Sequence, residues 1–362
     1  MKKTNSRCRK MSIVVEKILL TILAMLLSVG ICVSEEIPSG RHKKVEDVVE
    51  KWKNAVISQS KSRIKESENE IQNMGRDAGP QIRMYIADRS QKPEIRQGAM
   101  DAVVAIGDET AAESLIRVAE DSTDEWYHRV AAMQHVRRLS DKLAKSDAGI
   151  DKKYMQNLKR LFDDEKNKIN IRNEALVAYG VIGQNDSLPV LNGKLDDKNE
   201  AVIANAIYGI GAVRTPEGED ALLKVYLRKK GTPAEGLCVR LLGIHKVKKS
   251  VPFLIDTLEN IKVKKEKSMQ DEVMRGTYIK ALGEIGEKAS MPVLKKLIDN
   301  TGKDFDGILT AVDAAEALAK MGDYEYLKKV IQKVEIDARV GKGNEKRLRN
   351  MLKRMTGIDY DY

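Results

Sequence analysis

The sequence predicts an all-α solenoid of about seven to eight helix pairs. Three observations predict it: a register of residues recurs from Arg96 to about Met321, only 4% of residues are aromatic, and aliphatic and charged residues dominate. This composition suits many short helices better than a β-sandwich, which favours aromatic and β-branched runs. A unit that recurs every 28–43 residues indicates a stacked array, whose function is sought on a surface rather than in one pocket.

Each unit is numbered from a position zero, which is arginine in four units. Six residues later stands Ala in five of the seven units, ten later an apolar residue in six, and eleven later Gly in five. Position zero is occupied by Arg96, Arg129, Arg172, Glu200, Glu235, Arg275 and Ala311. Positions +3, +6, +7 and +10 have the spacing of one helical face, so we expect this helix to bury them. Glycine at +11 is typical of a left-handed C-terminal cap, although Lys246 replaces it in the fifth unit.

A second helix in each unit is predicted by a recurring Ser-x-Pro. It reads Ser187-Leu188-Pro189, Ser250-Val251-Pro252 and Ser290-Met291-Pro292. Serine in this place is expected to cap the helix by accepting a hydrogen bond from a free backbone amide, and Pro is tolerated in the first turn because its missing N–H has no helical partner.

Together these features resemble HEAT repeats, in particular the short bacterial subtype related to phycobilisome-lyase repeats. The best single unit reads Ile171-Arg172-Asn173-Glu174-Ala175, Gly180-Val181-Ile182-Gly183 and Leu188-Pro189-Val190-Leu191. The resemblance covers roughly residues 60–335 and implies a right-handed α-α superhelix. It also implies that the helix carrying position zero lines the concave surface.

Residues 1–34 are predicted to lie outside the fold. Six basic residues precede or begin an apolar stretch that is uncharged from 18 to 34 and ends in small residues, which is typical of a secretory signal peptide. The uncharged stretch is also at the lower limit for a membrane span, so an uncleaved anchor is the alternative. We therefore expect an exported protein, periplasmic or extracellular. The other predicted segments are a capping helix or linker at 35–60, the repeat array at 61–335 and a basic tail at 336–362.

Charge and cysteine content restrict the class of partner. Without residues 1–34 the chain keeps 58 basic and 53 acidic residues, a balance that does not favour nucleic acid. Only Cys238 lies beyond the predicted signal, so no internal disulfide is expected and the repeat core must supply the stability.

The sequence predicts no catalytic, cofactor or metal site. It contains no HExxH motif and no Cys/His cluster, and Cys238 falls at an apolar +3 position where a buried thiol is expected. His135 and His245 fall at core positions, where we expect packed and hydrogen-bonded rings.

The register arginines invite two interpretations. Arg96, Arg129, Arg172 and Arg275 could form an anion-binding stripe, but repeats of this kind use such an arginine to bond carboxylates or carbonyls of an adjacent repeat. Acids stand in the loops where those bonds would form: Asp121, Asp163, Asp164, Asp196 and Asp197. We therefore predict a structural role for the four arginines.

Positions +1, +5 and +8 fall opposite the core direction at 100° per residue, so the partner-binding surface is predicted there. The candidates are Asp101, Gln134, Arg137, Asn205, Tyr208, Arg240, Lys280 and Glu316. Their mixed charge suits a protein ligand better than a continuous polyanion, and exposed Tyr and Arg are frequent anchors of protein partners.

The predicted function is an exported, monomeric, non-enzymatic scaffold that binds a protein partner through its concave face. One alternative is polyanion or membrane-surface binding through the basic tail at 339–354, which would depend strongly on salt. The other is a HEAT-like lyase or accessory enzyme, because arrays of this kind occasionally host chemistry.

Overall fold

The computed structural model describes residues 39–143, 149–261, 269–300 and 305–335, together with positions 350 and 353. The predicted signal at 1–34 and nearly all of the basic tail at 336–362 lie outside these residues. Within them the regular elements are α-helices and short 3₁₀ turns, and no strand is present. The predicted all-α solenoid is confirmed.

The helices, numbered in chain order, alternate along the array. They are α1 Ser39–Ile57, α2 Lys61–Met74, α3 Gly79–Ala87, α4 Pro93–Ile106, α5 Ala111–Glu120, α6 Trp126–Leu143, α7 Met155–Asp163, α8 Ile169–Gly183, α9 Leu188–Gly193, α10 Glu200–Gly211, α11 Pro216–Lys229, α12 Glu235–Ile244, α13 Val251–Asn260, α14 Met269–Ile285, α15 Met291–Asn300, α16 Phe305–Lys320 and α17 Glu325–Glu335.

Two layers of helices form the solenoid. The first layer contains the helices that carry position zero, here called the register helices: α4, α6, α8, α10, α12, α14 and α16. Successive register helices pack against one another, and each also packs against the second helix that precedes it in the chain. The predicted apolar positions form the core between the layers; in α8, Ala175, Ala178, Tyr179 and Ile182 are all buried. Burial of this stripe in every unit supplies most of the driving force for folding.

Small residues set the spacing between neighbouring register helices. A methyl group added to Gly180 of α8 would lie 2.5 Å from the carbonyl oxygen of Gly209 in α10. Gly243 and Gly283 are packed in the same way against Ala281 and Ala317 of the following helices. Because the obstructing atoms belong largely to backbone or to a short side chain, a larger residue at these positions would force the helices apart.

The predicted role of the Ser-x-Pro serines is wrong. Each serine is fully buried and is the last residue of a 3₁₀ turn, and its hydroxyl donates to a carbonyl behind it instead of accepting from an amide ahead. The acceptors are the carbonyls three residues earlier: Ser187 to Gln184 at 2.6 Å, Ser250 to Val247 at 2.6 Å and Ser290 to Glu287 at 2.7 Å. The preceding 3₁₀ turn already occupies the amides, so the hydroxyl bonds a carbonyl of that turn.

The caps at +11 follow the prediction in some units only. Gly107, Gly286 and Gly322 have φ of 71°, 75° and 90°, in the left-handed region. Gly183 keeps a helical φ of −73°, and the positive φ falls on the next residue, Gln184. In the fifth unit Lys246 itself adopts a φ of 52°, so the chain turns there without the glycine.

Lys246→Gly is expected to raise the free energy of unfolding by up to about 1 kcal/mol. A left-handed residue with a Cβ is strained by roughly this amount, and glycine relieves the strain. Urea denaturation followed by circular dichroism measures the change. As the control, Lys224→Gly in the middle of α11 should lower stability by about 1 kcal/mol. A loss of stability in both variants would contradict the strain at Lys246.

Candidate protein-binding surface

The register arginines join the two layers of the solenoid. Three of them donate Nε–H to the carbonyl ten residues earlier, in the last turn of the preceding second helix. The pairs are Arg96 with Ile86 at 3.0 Å, Arg129 with Ala119 at 2.8 Å and Arg172 with Phe162 at 2.9 Å. Arg275 is buried as well, and the residue ten positions before it lies outside the described residues. The Nε–H groups of Arg96, Arg129 and Arg172 are therefore occupied by carbonyls of the protein and are not free to bind an anion.

The acids expected to pair with these arginines do something else. Asp121, Asp164 and Asp197 each accept the backbone N–H two residues later, at 2.9, 3.0 and 2.9 Å, and so close the turn between a second helix and a register helix. Asp163 and Asp196 pair instead with cations of the next repeat. The expectation is therefore wrong for these five acids, of which three accept backbone amides of their own turn and two pair with cations of the next repeat.

Arg96 also forms a buried ion pair, which the described residues show for none of Arg129, Arg172 and Arg275. It donates to both carboxylate oxygens of Asp124, one of them at 3.0 Å, and to Nδ1 of His128 at 2.8 Å. The side chains of Arg96 and Asp124 are both 3% exposed. Burial would raise the pKa of Asp124, but the hydrogen bonds from Arg96 and from the amide of Glu125 outweigh it and hold the pKa at about 2. This cluster ties α4 to the start of α6.

The fifth unit replaces the arginine with a different tie. Its position zero, Glu235, accepts hydrogen bonds from the hydroxyl of Tyr278 in the next register helix and from the N–H of Gly231, the latter at 2.7 Å. Tyr278 is fully buried and also bonds Tyr226 at 3.0 Å. Burial, together with these partners, raises the pKa of Tyr278 above its ordinary value, so the hydroxyl stays a donor. A carboxylate–tyrosine network thus connects α12 to α14.

The first predicted partner-binding residues contact the neighbouring register helix. Asp101 of α4 accepts from Arg138 at 2.6 Å and lies 3.1 Å from Nε2 of His135. Burial would raise the pKa of Asp101, but these two partners lower it to about 2. Gln134 donates to Glu174 of α8 at 3.0 Å. The carboxylate of Asp101 is therefore paired within the protein, and because its side chain remains 43% exposed it is still accessible to a partner.

The same pattern continues along the array. Arg137 lies 3.5 Å from Glu174, and Lys280 of α14 lies 3.5 Å from Asp313 of α16. Asn205 donates to the carbonyl of Ala201 in its own helix at 2.6 Å. The side chain of Lys280 is 61% exposed, so its ammonium stays accessible in spite of the pairing. Glu316 is half-buried on α16.

Tyr208 and Arg240 form an exposed pair across α10 and α12. The guanidinium carbon of Arg240 lies 5.8 Å from the ring centroid of Tyr208, and Arg240 also donates to the Tyr208 hydroxyl. Tyr208 is 38% exposed. Stacking and the hydrogen bond fix both side chains, so a partner that binds them loses little of their conformational entropy.

Helical periodicity misplaced part of this surface. Val177, at +5 of the third unit, is only 3% exposed. The +8 glycines Gly180, Gly243 and Gly283 face the next register helix rather than solvent. A register helix such as α8 has a neighbouring register helix on each side. It therefore buries a wider arc of its surface than the single apolar face expected of an isolated amphipathic helix. The exposed register face is consequently narrower than predicted.

A cluster of exposed apolar side chains was missed by the sequence reasoning. Trp126 and Tyr127 begin α6 and Ile169 begins α8, with 42%, 43% and 38% of each residue exposed. The two aromatic rings meet edge-on at 6.2 Å, and the ammonium of Lys168 lies 5.0 Å from the Trp126 ring centroid. We call Trp126, Tyr127, Lys168 and Ile169 the aromatic cluster. The sequence does contain a signal for this cluster, because large apolar residues stand two or three positions before the register arginines Arg129 and Arg172.

Groups that could perform chemistry are tied up or separated. Cys238 is fully buried, and burial raises the pKa of its thiol to about 12. His135 bonds the carbonyl of Ala131 at 2.7 Å, whereas His245 lines a groove of about 390 Å³ between α10, α11 and the end of α12. In the part of the chain that the structure describes, no three His, Cys, Asp or Glu side chains gather closely enough to hold a metal ion.

No protein-family model matches the chain, and no curated protein matches it in sequence. Two solved structures align with it over most of its length. Human deoxyhypusine hydroxylase in complex with glycerol aligns over 78% of this chain and 97% of its own, at 15% identity and a TM-score of 0.31. The karyopherin Kap121p, bound to the extreme C-terminus of the protein phosphatase Cdc14p, aligns over 89% of this chain at 11% identity and a TM-score of 0.46. The chain spans 39% of the length of that karyopherin.

The solenoid architecture itself is shown by the packing of successive register helices and second helices. Among the helices described, none combines the length and the hydropathy needed to span a membrane.

Proposed function

We propose that the protein is a non-enzymatic scaffold that binds another protein through the exposed face of its register helices. The observation that carries this proposal is the Tyr208–Arg240 pair, an exposed aromatic ring stacked with an arginine between two repeats. Tyr and Arg are over-represented among the side chains that dominate binding energy at protein interfaces. A rigid pair of this kind is a preorganised anchor for a partner.

The residues around that pair favour a partner of mixed charge. Asp101 lies towards the N-terminal end of the register face and is held as a carboxylate, while Arg240 and Lys280 supply positive charge further along. A ligand that follows the face would need a basic segment opposite Asp101 and an acidic segment opposite Arg240 and Lys280. Charge complementarity of this kind sets the orientation and association rate of a partner more than its affinity.

The aromatic cluster supports a second contact point at the edge of the array. Exposed Trp and Tyr side chains provide large apolar contact areas with few rotatable bonds. Because α6 and α8 are adjacent, the cluster spans two repeats, as the Tyr208–Arg240 pair does. A partner that contacted both would cross several repeats, the usual mode of binding in solenoids.

The proposal has three further parts. The protein is non-enzymatic, it is exported, and it belongs to the short bacterial HEAT subtype. The buried thiol of Cys238 supports a non-enzymatic role because a neutral thiol is a poor nucleophile. The basic and apolar N-terminus supports export, to the periplasm or the medium. The units around Arg172 and Pro189 support membership of the short bacterial HEAT subtype.

Arg240→Glu combined with Lys280→Glu is expected to weaken capture of the native protein partner at least about tenfold. Reversing two charges places like charges opposite one another in the interface, which costs several kcal/mol when they face directly. In situ cross-linking followed by mass spectrometry identifies the partner and the contacting residues. Quantitative pull-down with that partner then measures the loss.

The matched control is Lys224→Glu combined with Lys288→Glu, which makes the same charge change at exposed positions of the second-helix layer. Its capture should equal that of the wild type, and circular dichroism should show the same helicity in all three proteins. If both double variants lost capture equally, or if neither lost it, the partner would not bind through the register face.

A further inference from the structure

A groove of about 710 Å³ lies at the N-terminal end of the array, between α1 and α3. Its apolar floor comes from Val49 of α1 and from Met84 and Tyr85 of α3. Met84 is 73% exposed, the largest value among the exposed large apolar residues of the described chain. Tyr85 lies against the fully buried Trp52, with the two ring centroids 6.3 Å apart. The groove thus has an apolar floor that is open to solvent and supported by the core.

The rim of this groove is acidic. The residues that line it include four acids and no lysine or arginine; the acids are Glu46, Asp47, Glu50 and Asp88. Lys53 stands beside the groove, 3.6 Å from Glu50 and 5.5 Å from the ring centroid of Tyr85. Glu46 and Asp47 are exposed, and the described residues give neither of them an ion pair or a side-chain hydrogen bond. The rim therefore keeps a net negative charge beside the apolar floor.

The shape of the groove suits a helical ligand. On the α3 side its lining residues stand at i, i+3, i+4 and i+7, a single helical face about 10 Å long; they are Gln81, Met84, Tyr85 and Asp88. Both walls are helices, so a ligand meets chiefly side chains there. An extended peptide binds best along the edge of a sheet, and the described chain contains no strand. A helix satisfies its own backbone and needs only side-chain contacts.

The charge of the rim defines the composition of that helix. Acidic side chains attract Lys and Arg, and they repel the phosphates of nucleic acid and of anionic lipid. Glu46 and Asp47 can accept charge-assisted hydrogen bonds without giving up a contact that the described structure shows. The unbranched thioether side chain of Met84 adapts to apolar residues of different shapes. The complementary ligand is a helix with one apolar face and with Lys or Arg on its flanks.

We infer that the α1–α3 groove binds a basic amphipathic helix of a partner protein. The floor formed by Val49, Met84 and Tyr85 takes the apolar face of that helix, and Glu46 and Asp47 bind lysine or arginine on its flanks. This is the helix-in-groove mode of recognition. The inference deepens the proposed scaffold function and rests on it only in that the ligand is a protein, since the groove shares no residue with the register face.

Fluorescence anisotropy of three labelled synthetic peptides with the full chain tests the class of ligand. The first peptide is an Ala-based helix of about four turns, with Leu at i, i+3, i+4 and i+7 and with Lys on the flanks. The second contains the same residues in an order that scatters the leucines, and the third has Glu in place of Lys. The first should bind saturably, the second at least about tenfold more weakly, and the third without measurable affinity.

Two variants of the protein test the site. Glu46→Lys combined with Asp47→Lys reverses the charge of the rim and should weaken binding of the first peptide at least about tenfold. Met84→Gln makes the floor polar at similar length and should weaken it at least about fivefold, since an apolar contact is lost. The matched control is Glu165→Lys combined with Glu200→Lys, which makes the same charge change at exposed acids outside the groove and should bind as the wild type does. Circular dichroism checks that every variant remains helical.

Three results would each overturn the inference: no saturable binding of the first peptide, equal binding of the first and second peptides, and equal binding by the rim variant and its control. Arg240→Glu combined with Lys280→Glu separates this site from the register face, and it should bind the first peptide as the wild type does. A changed affinity in that variant would place the peptide on the register face and overturn the groove. Unchanged peptide binding together with unchanged capture of the native partner would support the groove and remove the register face.

Discussion

Arg96→Leu is expected to lower the free energy of unfolding by about 3–5 kcal/mol, the range found when one partner of a buried ion pair is removed. Asp124 would keep its place at 3% exposure but lose both guanidinium hydrogen bonds. A buried carboxylate without a counter-ion is far more costly than an exposed one. Urea denaturation followed by circular dichroism measures the loss, and hydrogen exchange should locate it in α3 to α6.

Arg172→Leu is the matched control, because it makes the same substitution at the same register position. Arg172 donates to the carbonyl of Phe162 and has no buried carboxylate partner in the described structure. We expect a loss of about 1–2 kcal/mol, the value of an ordinary hydrogen bond and its unpaired acceptor. Similar losses of stability in the two variants would show that the ion pair with Asp124 adds nothing to the hydrogen bond that each arginine donates to a carbonyl.

The dependence on pH gives a second measurement on the same pair of proteins. In the folded wild type the pKa of Asp124 is about 2, below its ordinary value of 3.8. A depressed folded pKa contributes stability above pH 3.8, and that contribution is lost as the pH falls towards 2. In Arg96→Leu the unpaired carboxylate binds a proton more readily than in water. The stability difference between wild type and variant should therefore narrow from about pH 5 to pH 3, and a constant difference would contradict this account.

Gly180→Ala is expected to lower the free energy of unfolding by about 3 kcal/mol, the upper end of the range for overpacking a core. The added methyl group would lie 2.5 Å from the carbonyl oxygen and 2.7 Å from the Cα of Gly209. Backbone atoms cannot rotate away as a side chain can, so α8 and α10 must separate along their contact. Thermal or urea unfolding measures the loss.

Gly193→Ala provides the control for this prediction. Gly193 ends α9 with helical backbone angles, and nothing lies within 4 Å of the added methyl group. Alanine there should be neutral or stabilise the protein by up to about 1 kcal/mol, since it restricts the unfolded chain without a clash. If Gly193→Ala destabilised the protein and Gly180→Ala did not, close packing at Gly180 would not be what sets the spacing of α8 and α10.

Much of the fold could be predicted from the sequence because its signals are local. Apolar residues such as Ala175 and Ile182 recur at helical spacing, so a single helix is enough to show which side is buried. Pro189 and Gly107 mark helix ends through backbone geometry that depends on one or two residues. Repetition then strengthens each weak signal, since a pattern seen once carries little weight and the same pattern in seven units carries much.

The candidate surface could be predicted only in part. Tyr208 and Arg240 are exposed, and they were found because +5 and +8 lie opposite the core direction. Val177 and Gly180 satisfy the same rule and are buried, because the rule describes one helix and ignores the neighbours on both sides. The exposed Trp126 was missed for the opposite reason, as it stands outside the repeating positions.

The sequence by itself determined the helical class, the repeat and the residues of the core, because periodic burial is encoded along each helix. Only the tertiary structure decided which partners the polar side chains take. Arg96 bonds Asp124 from the next loop, and Ser187 bonds a carbonyl behind it. A polar group bonds whichever partner the packed backbone brings within about 3 Å. That distance is fixed by how neighbouring repeats stack, which no single repeat of the sequence contains.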